Sequence, residues 1–172
     1  AADPGAVWDV DFSDALSGLN SVEYTMRSAA DLGGTELKSW TKIADEIASN
    51  AYVADWGLDF SAATDGANYV SVRAYDAAGN VSSIATDAFY FKKDDSRPIV
   101  TDNQADDDTW YTSNPGAVWD VDFSDSAAGS SLDNAQYTIR SAASLGGVEL
   151  REWTDIADGI ASNSYTTDWS VY

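Results

Sequence analysis

An eleven-residue stretch, Pro-Gly-Ala-Val-Trp-Asp-Val-Asp-Phe-Ser-Asp, occurs twice without change, at residues 4–14 and 115–125. The similarity runs on, because residues 24–58 align with 137–171 and are identical at 23 of 35 positions. The offset grows from 111 to 113 residues between the two blocks, which places two extra residues in the second copy's loop at 126–134. A surface loop tolerates such an insertion. A period this long is that of one small globular domain rather than of a solenoid repeat, so both copies are expected to take the same fold.

The repeated stretch alternates with period two. Trp8, Val10 and Phe12 fall on one side, Asp9, Asp11 and Ser13 on the other, which predicts a strand with one buried face. Trp8, Val10 and Phe12 are expected in the core, with Trp119, Val121 and Phe123 in the second copy. Residues 11–21 read as a loop. A strand follows with Val22, Tyr24 and Met26 inward and Glu23, Thr25 and Arg27 outward; Ala135, Tyr137 and Ile139 are the inward counterparts. Between residues 36 and 50, Leu37, Trp40, Ile43, Ala44 and Ile47 fit helical spacing. Gly159 stands where the first copy has Glu46, and the reading preferred is a strand near residues 37–43. A further strand is expected at 52–60. The clearest alternation is at 69–75, with Val70, Val72 and Ala74 toward the core, and a last strand at 87–92 carries Phe89 and Phe91. Asp-Asp-Ser-Arg-Pro at 94–98 is a polar junction closed by a stiff residue, dividing the chain into domains 1–97 and 98–172. The second domain would open on a strand at 99–103, followed by an acidic turn at 106–111. About seven short strands per copy, spaced by turns, describe an all-β sandwich of two antiparallel sheets.

Seven Trp, nine Tyr and five Phe supply enough aromatic mass for packed cores, and six of the Trp pair between copies as Trp8/Trp119, Trp40/Trp153 and Trp56/Trp169. The net charge of −20 is spread along the chain, −9 through Arg97 and −11 beyond it. Such a field repels nucleic acid and anionic membranes, and no apolar run is long enough for membrane insertion. With no Cys and no His, disulfides, thiolate or imidazole metal sites and the usual nucleophile–base pairs are excluded. Paired carboxylates can serve glycoside hydrolysis, and Asp9/Asp11 and Asp120/Asp122 are such pairs. The same alternation is found on any solvent-facing strand, and neither a phosphate-binding loop nor a nucleophile elbow accompanies it, so the chain is not expected to be an enzyme.

The segment Tyr-Val-Ser-Val-Arg-Ala-Tyr-Asp-Ala-Ala-Gly-Asn-Val-Ser at 69–82, followed by the junction at 94–98, resembles the end of one bacterial immunoglobulin-like domain and the start of the next. Such domains form tandem arrays in large surface proteins and adhesins. The chain departs from their commonest pattern at Asn68, where many carry a corner Tyr. The resemblance implies tandem immunoglobulin-like β-sandwiches, an extracellular or cell-surface location, and calcium bound at the linkers. Carried over residue by residue, the ligands would be Asp76, Asn80, Asp94 and Asp95. The geometry of such a sandwich would set Asp14 beside Asp76 and Asn80, and Asp125 near Asp94 and Asp95. Calcium takes six to eight oxygen ligands, and oxygen donors are what this chain has in abundance. The alternative is that Asp76 and Asn80 only cap their own turn.

Two functions follow as expectations. One is a structural repeat, a spacer or shaft unit of an extracellular fibre or adhesin, whose partners are neighbouring copies of the same repeat. The other is a carbohydrate- or protein-binding adhesion module that uses solvent-facing Tyr69 and Tyr75. The repeat register pairs residues 98–114 only with residues 1–3, and leaves residues 60–97 without a second copy. The first domain is therefore expected to lack its first strand and the second its last two. A window on a longer repetitive fibre would have this appearance; alternatively, residues 99–103 would be a strand donated between subunits.

Overall fold

The computed structural model describes residues 2–105 and 108–171, and the chain in it is all-β. Apart from one 3-10 turn, Phe60–Ala62, no helix occurs among the described residues, and none is long and apolar enough to cross a membrane. The chain divides into two units, Ala1–Asp95 and Ser96–Tyr172.

In the first unit β2 (Leu19–Arg27) sits between β3 (Glu36–Ala44) and β5 (Gly66–Asp76), and β6 (Ala85–Lys93) completes an antiparallel sheet of order β3-β2-β5-β6. The alternation read from the sequence sets its inner face. Val22 lies opposite Ala74, Tyr24 opposite Val72 and Met26 opposite Val70. Val22, Met26 and Val70 are fully buried. A smaller pair, β1 (Phe12–Ser13) with β4 (Ala51–Tyr52), lies across this face, and Phe12, Trp56, Leu58 and Phe60 join the same core. Trp8 stacks on Phe89 with ring centres 4.5 Å apart, which ties the chain's first turn to β6. Fully buried Asn68 closes the loop leading into β5. Its Oδ1 accepts from the Thr64 N–H and its Nδ2 donates to the Thr64 and Gly66 carbonyls, so no polar atom of that amide lacks a partner.

The second unit repeats part of this plan. β9 (Ala135–Arg140) pairs with β10 (Glu149–Ala157), and a separate sheet of order β11-β8-β7 is made by β7 (Ile99–Asp102), β8 (Val121–Ser124) and β11 (Ser164–Tyr165). Leu132, Ala135 and Tyr137 are its buried apolar residues. The first unit thus has six strands and the second five among the described residues, the numbers left when about seven per copy are reduced by one in the first and by two in the second.

Several expectations need correction. The repeated stretch forms only a two-residue ladder in the first unit, preceded by an isolated bridge from Trp8 to Trp56. In the second unit it forms four ladder residues, because β7 pairs along its other edge from Ile99 opposite Ser124 to Asp102 opposite Val121. Of the six residues expected in the core, Phe12 alone is buried, and Trp8, Val10, Trp119, Val121 and Phe123 are half-buried. Thr25, expected outward, is buried, since its hydroxyl donates to the Lys38 carbonyl and its neighbour across β5 is buried Ser71. The loop expected at 11–21 contains β1 and the start of β2. The strand expected at 52–60 is no more than β4 and the Trp56 bridge, because the chain then winds into the 3-10 turn. The strand preferred near 37–43 is present as β3, with irregular chain at 45–50, and the acidic turn expected at 106–111 lies partly outside the described residues.

Candidate functional site

The expected calcium ligands fall in three places. Asp14, Asp76 and Asn80 line one cavity of about 200 Å³ in the first unit, together with Ser13, Leu19 and Val81. Each carboxylate there is already engaged by its own loop. Asp14 Oδ2 accepts from the Gly18 N–H at 2.7 Å, the Leu16 N–H at 3.1 Å and the Ser17 hydroxyl at 3.3 Å. Asp76 accepts from the Asn80 side-chain amide and from the Asn80 N–H, both at 2.7 Å. The side-chain bond is the main cause that holds the Asp76 pKa below the ordinary carboxylate range. This is the turn-capping arrangement of an Asp and an Asn flanking a glycine at positive φ, here Gly79 at +90°.

Asp95 pairs with Lys93 at 2.8 Å, the bond that most lowers its pKa, and its N–H donates to Asp65 Oδ1 at 2.8 Å. Neighbouring Asp94 is half-buried in the same unit. Asp125, in the other unit, accepts from the Ser126 N–H at 2.8 Å and the Ser131 N–H at 3.1 Å, and so organises the loop that carries the two-residue insertion. Among the described residues no three carboxylates come together as a group that could hold a metal ion. The carboxylate pair Asp120/Asp122 is likewise absorbed by the framework, bridged by Asn103 Nδ2 at 3.3 and 2.9 Å.

The outer face of the four-stranded sheet is the second candidate. Arg73 Nε and Nη2 both donate to Glu23 Oε2, at 2.9 and 2.8 Å, across the β2–β5 ladder. The guanidinium lies 4.0 Å from the centre of the Trp40 ring and 5.3 Å from that of Tyr75. A guanidinium flanked by aromatic rings and a carboxylate is a stabilised cation rather than a free one. Tyr69 packs against Tyr90 with ring centres 5.7 Å apart. Tyr69 and Tyr75 are therefore half-buried and partnered, while Tyr90 is 61 % exposed. The Trp40–Arg73–Glu23 cluster had not been singled out from sequence. Its signal is the polar phase of two alternating strands, Glu23 on one and Arg73 on the other, once those strands are taken to pair.

Comparison of the chain with family models, with curated proteins and with solved structures finds no match in any of the three.

Proposed function

We propose that the chain is a pair of immunoglobulin-like structural repeats, spacer units of an extracellular fibre or surface adhesin whose partners are neighbouring copies of the same repeat. The observation that carries this reading is which bonds recur between the copies. The doubly bonded Trp8–Trp56 bridge, at 3.1 and 3.2 Å, recurs as Trp119–Trp169 at the same distances. The bond from Leu19 N–H to the Ser49 carbonyl recurs from Leu132 to Ser162, and the Thr25 hydroxyl bond to Lys38 recurs from Thr138 to Arg151. Arg27–Glu36 recurs as Arg140–Glu149. Not every solvent-facing group follows suit. Lys42, paired with Asp45, is replaced by Asp155, which accepts from Gln136, so the charge at that place reverses. A ligand site shared by both copies needs the same surface groups, whereas a spacer needs only the same framework.

Calcium stiffening belongs to this reading through the cavity that Asp14, Asp76 and Asn80 share, where a cation would have to compete with the loops' own donors. Exposed Tyr90 beside Tyr69 favours the second reading, an adhesion module for a carbohydrate or protein. Stretching the chain between its ends tests the first. The first unit should give way in one step and release roughly 300 Å of contour, from its length at about 3.5 Å per extended residue. Featureless extension, together with saturable glycan or protein binding that Tyr90→Ala abolishes, would replace the spacer with the adhesion module.

A further inference from the structure

The turn that follows β10 differs chemically from its counterpart in the first unit. Asp158 and Gly159 are both exposed, and the Gly159 N–H donates to Asp158 Oδ1 at 2.9 Å, the one hydrogen bond of that carboxylate among the described residues. Such a bond brings the Gly159 nitrogen up to Asp158 Cγ, and these are the two atoms that a cyclic imide joins. Gly159 is left-handed at φ +61°, and a Cβ built there would meet nothing within 4 Å, so the space beside the nitrogen is open. Other aspartates share parts of this arrangement but not the whole. Asp45, the counterpart of Asp158, also receives the N–H that follows it, but Lys42 holds its carboxylate at 2.6 Å and the N–H is that of Glu46. Asp125 accepts from the Ser126 N–H at 2.8 Å, yet its other oxygen is taken by the Ser131 N–H and the residue is half-buried. Asp65 also precedes a glycine, but its Oδ1 accepts from the Asp95 N–H, and Gly66 is fixed in the ladder opposite Lys93.

We propose that Asp158–Gly159 is a site of spontaneous covalent modification, where loss of water converts Asp158 into a succinimide and addition of water then yields isoaspartate. The Gly159 nitrogen forms a bond to Asp158 Cγ and returns its proton to solvent. The carboxyl, protonated by solvent, loses its hydroxyl as water. Solvent water next adds to one of the two ring carbonyls. Opening at Cγ restores aspartate, whereas opening at the main-chain carbonyl leaves the chain running through Cβ and Cγ, with the former main-chain carboxyl as its side group. Nothing is oxidised or reduced, and one water leaves for each that returns. Isoaspartate lengthens the main chain by one carbon between two anchors, the pairing of Ala157 with Ala135 and the bond from the Ile160 N–H to the Asp133 carbonyl. The single bond from Ile160 is the one expected to open. The inference stands on this turn and not on the spacer reading, which can fail separately.

The full chain is held for weeks in neutral buffer and digested, and isoaspartate is counted at each aspartate by mass spectrometry with fragmentation that separates the two linkages. Misplacing reacting atoms by about an ångström costs up to roughly a hundredfold in rate, so isoaspartate at residue 158 should exceed that at 45, 65 and 125 by roughly tenfold or more. A species lighter by one water should map to the same peptide, and Asp158→Ser should remove both products. In urea, which dissolves the turn and the ladder alike, residues 65 and 158 should convert at the same rate. No isoaspartate at 158, or equal conversion at 158 and 65 in the folded chain, overturns the proposal. A preference for 158 that persists in urea belongs to the neighbouring sequence rather than to the fold, and overturns it as well.

Discussion

Glu46 and Gly159 occupy the same place in the two copies, and both are left-handed, at φ +51° and +61°. Glycine adopts that conformation freely, whereas a residue with a Cβ is destabilised there by roughly 1–2 kcal/mol. Part of this is offset because glycine also loosens the unfolded chain. Glu46→Gly should therefore stabilise the first unit by about 0.5–1 kcal/mol, and Gly159→Glu should destabilise the second by about 1 kcal/mol, as read from urea melts. Opposite signs would mean that Glu46 makes a compensating contact. The Glu/Gly difference was legible as a mark against helix, but left-handed Ala48 and Ala161 a few residues on gave no such cue, since nothing in an alanine's identity announces positive φ. Charge is legible in the same partial way. Asp59 meets the Lys38 ammonium at 2.7 Å, and that bond, with one from the Ser61 hydroxyl, holds its pKa down at about 2. A carboxyl whose folded pKa is depressed contributes stability that is complete above its unfolded value, near 3.8, and is lost as the pH falls toward 2. The pair is partly exposed, so the contribution is below about 1 kcal/mol. Asp59→Asn should flatten the acid limb of stability between pH 4 and pH 2; parallel losses in wild type and variant would show the pair to be idle.

Strands β2, β3, β5 and β6 were largely legible because alternation or apolar content decides them locally. β1 and β4 were not, since the length of a strand depends on which neighbour holds its edge. The same eleven residues give two ladder positions where only β4 pairs with them, and four where β7 pairs as well. The two faces of β2 were half legible for a related reason: the side chains at Glu23 and Arg27 reach solvent, but that of Thr25 is short and bonds to the neighbouring carbonyl. The cavity at Asp14, Asp76 and Asn80 came from an expected arrangement of loops, and the bonds that occupy its carboxylates depend on turn geometry that composition does not specify. Burial gives the quantitative consequence. Phe12 faces Tyr52 at 6.4 Å and Phe123 faces Tyr165 at 6.5 Å, so the ring contact is alike, yet Phe12 is 8 % exposed and Phe123 half-buried. Phe12→Ala should cost about 3–5 kcal/mol and Phe123→Ala about half as much, while Asp9→Ala stays within about 0.5 kcal/mol of zero. Equal losses at the two phenylalanines would show that burial differs less than the exposures indicate.

The two units share a design but not a reserve of stability. Eleven buried residues make the core of the first, whereas Leu132, Ala135 and Tyr137 are the buried apolar residues of the second. At about 1.5–3 kcal/mol for each large apolar side chain taken from water, that difference outweighs any difference in surface ion pairs. Charge works in the same direction, because residues 98–172 carry 13 acidic and 2 basic side chains, against 16 and 7 before them. Thermal unfolding should therefore proceed in two transitions, the lower belonging to the second unit, with its amides losing protection first in hydrogen exchange. Sodium chloride should raise the lower transition more than the upper, because the Debye length falls to about 8 Å at 0.15 M and the more one-sided field is screened most. Calcium is separated from screening by comparing the two salts at matched ionic strength. If the cavity at Asp14, Asp76 and Asn80 takes the cation, the upper transition rises further in calcium than in sodium, and Asp76→Ala removes the excess. If the two salts coincide, the Asp76 and Asn80 side chains do no more than close the turn after β5, and the stability of the first unit rests on its sheets and core alone.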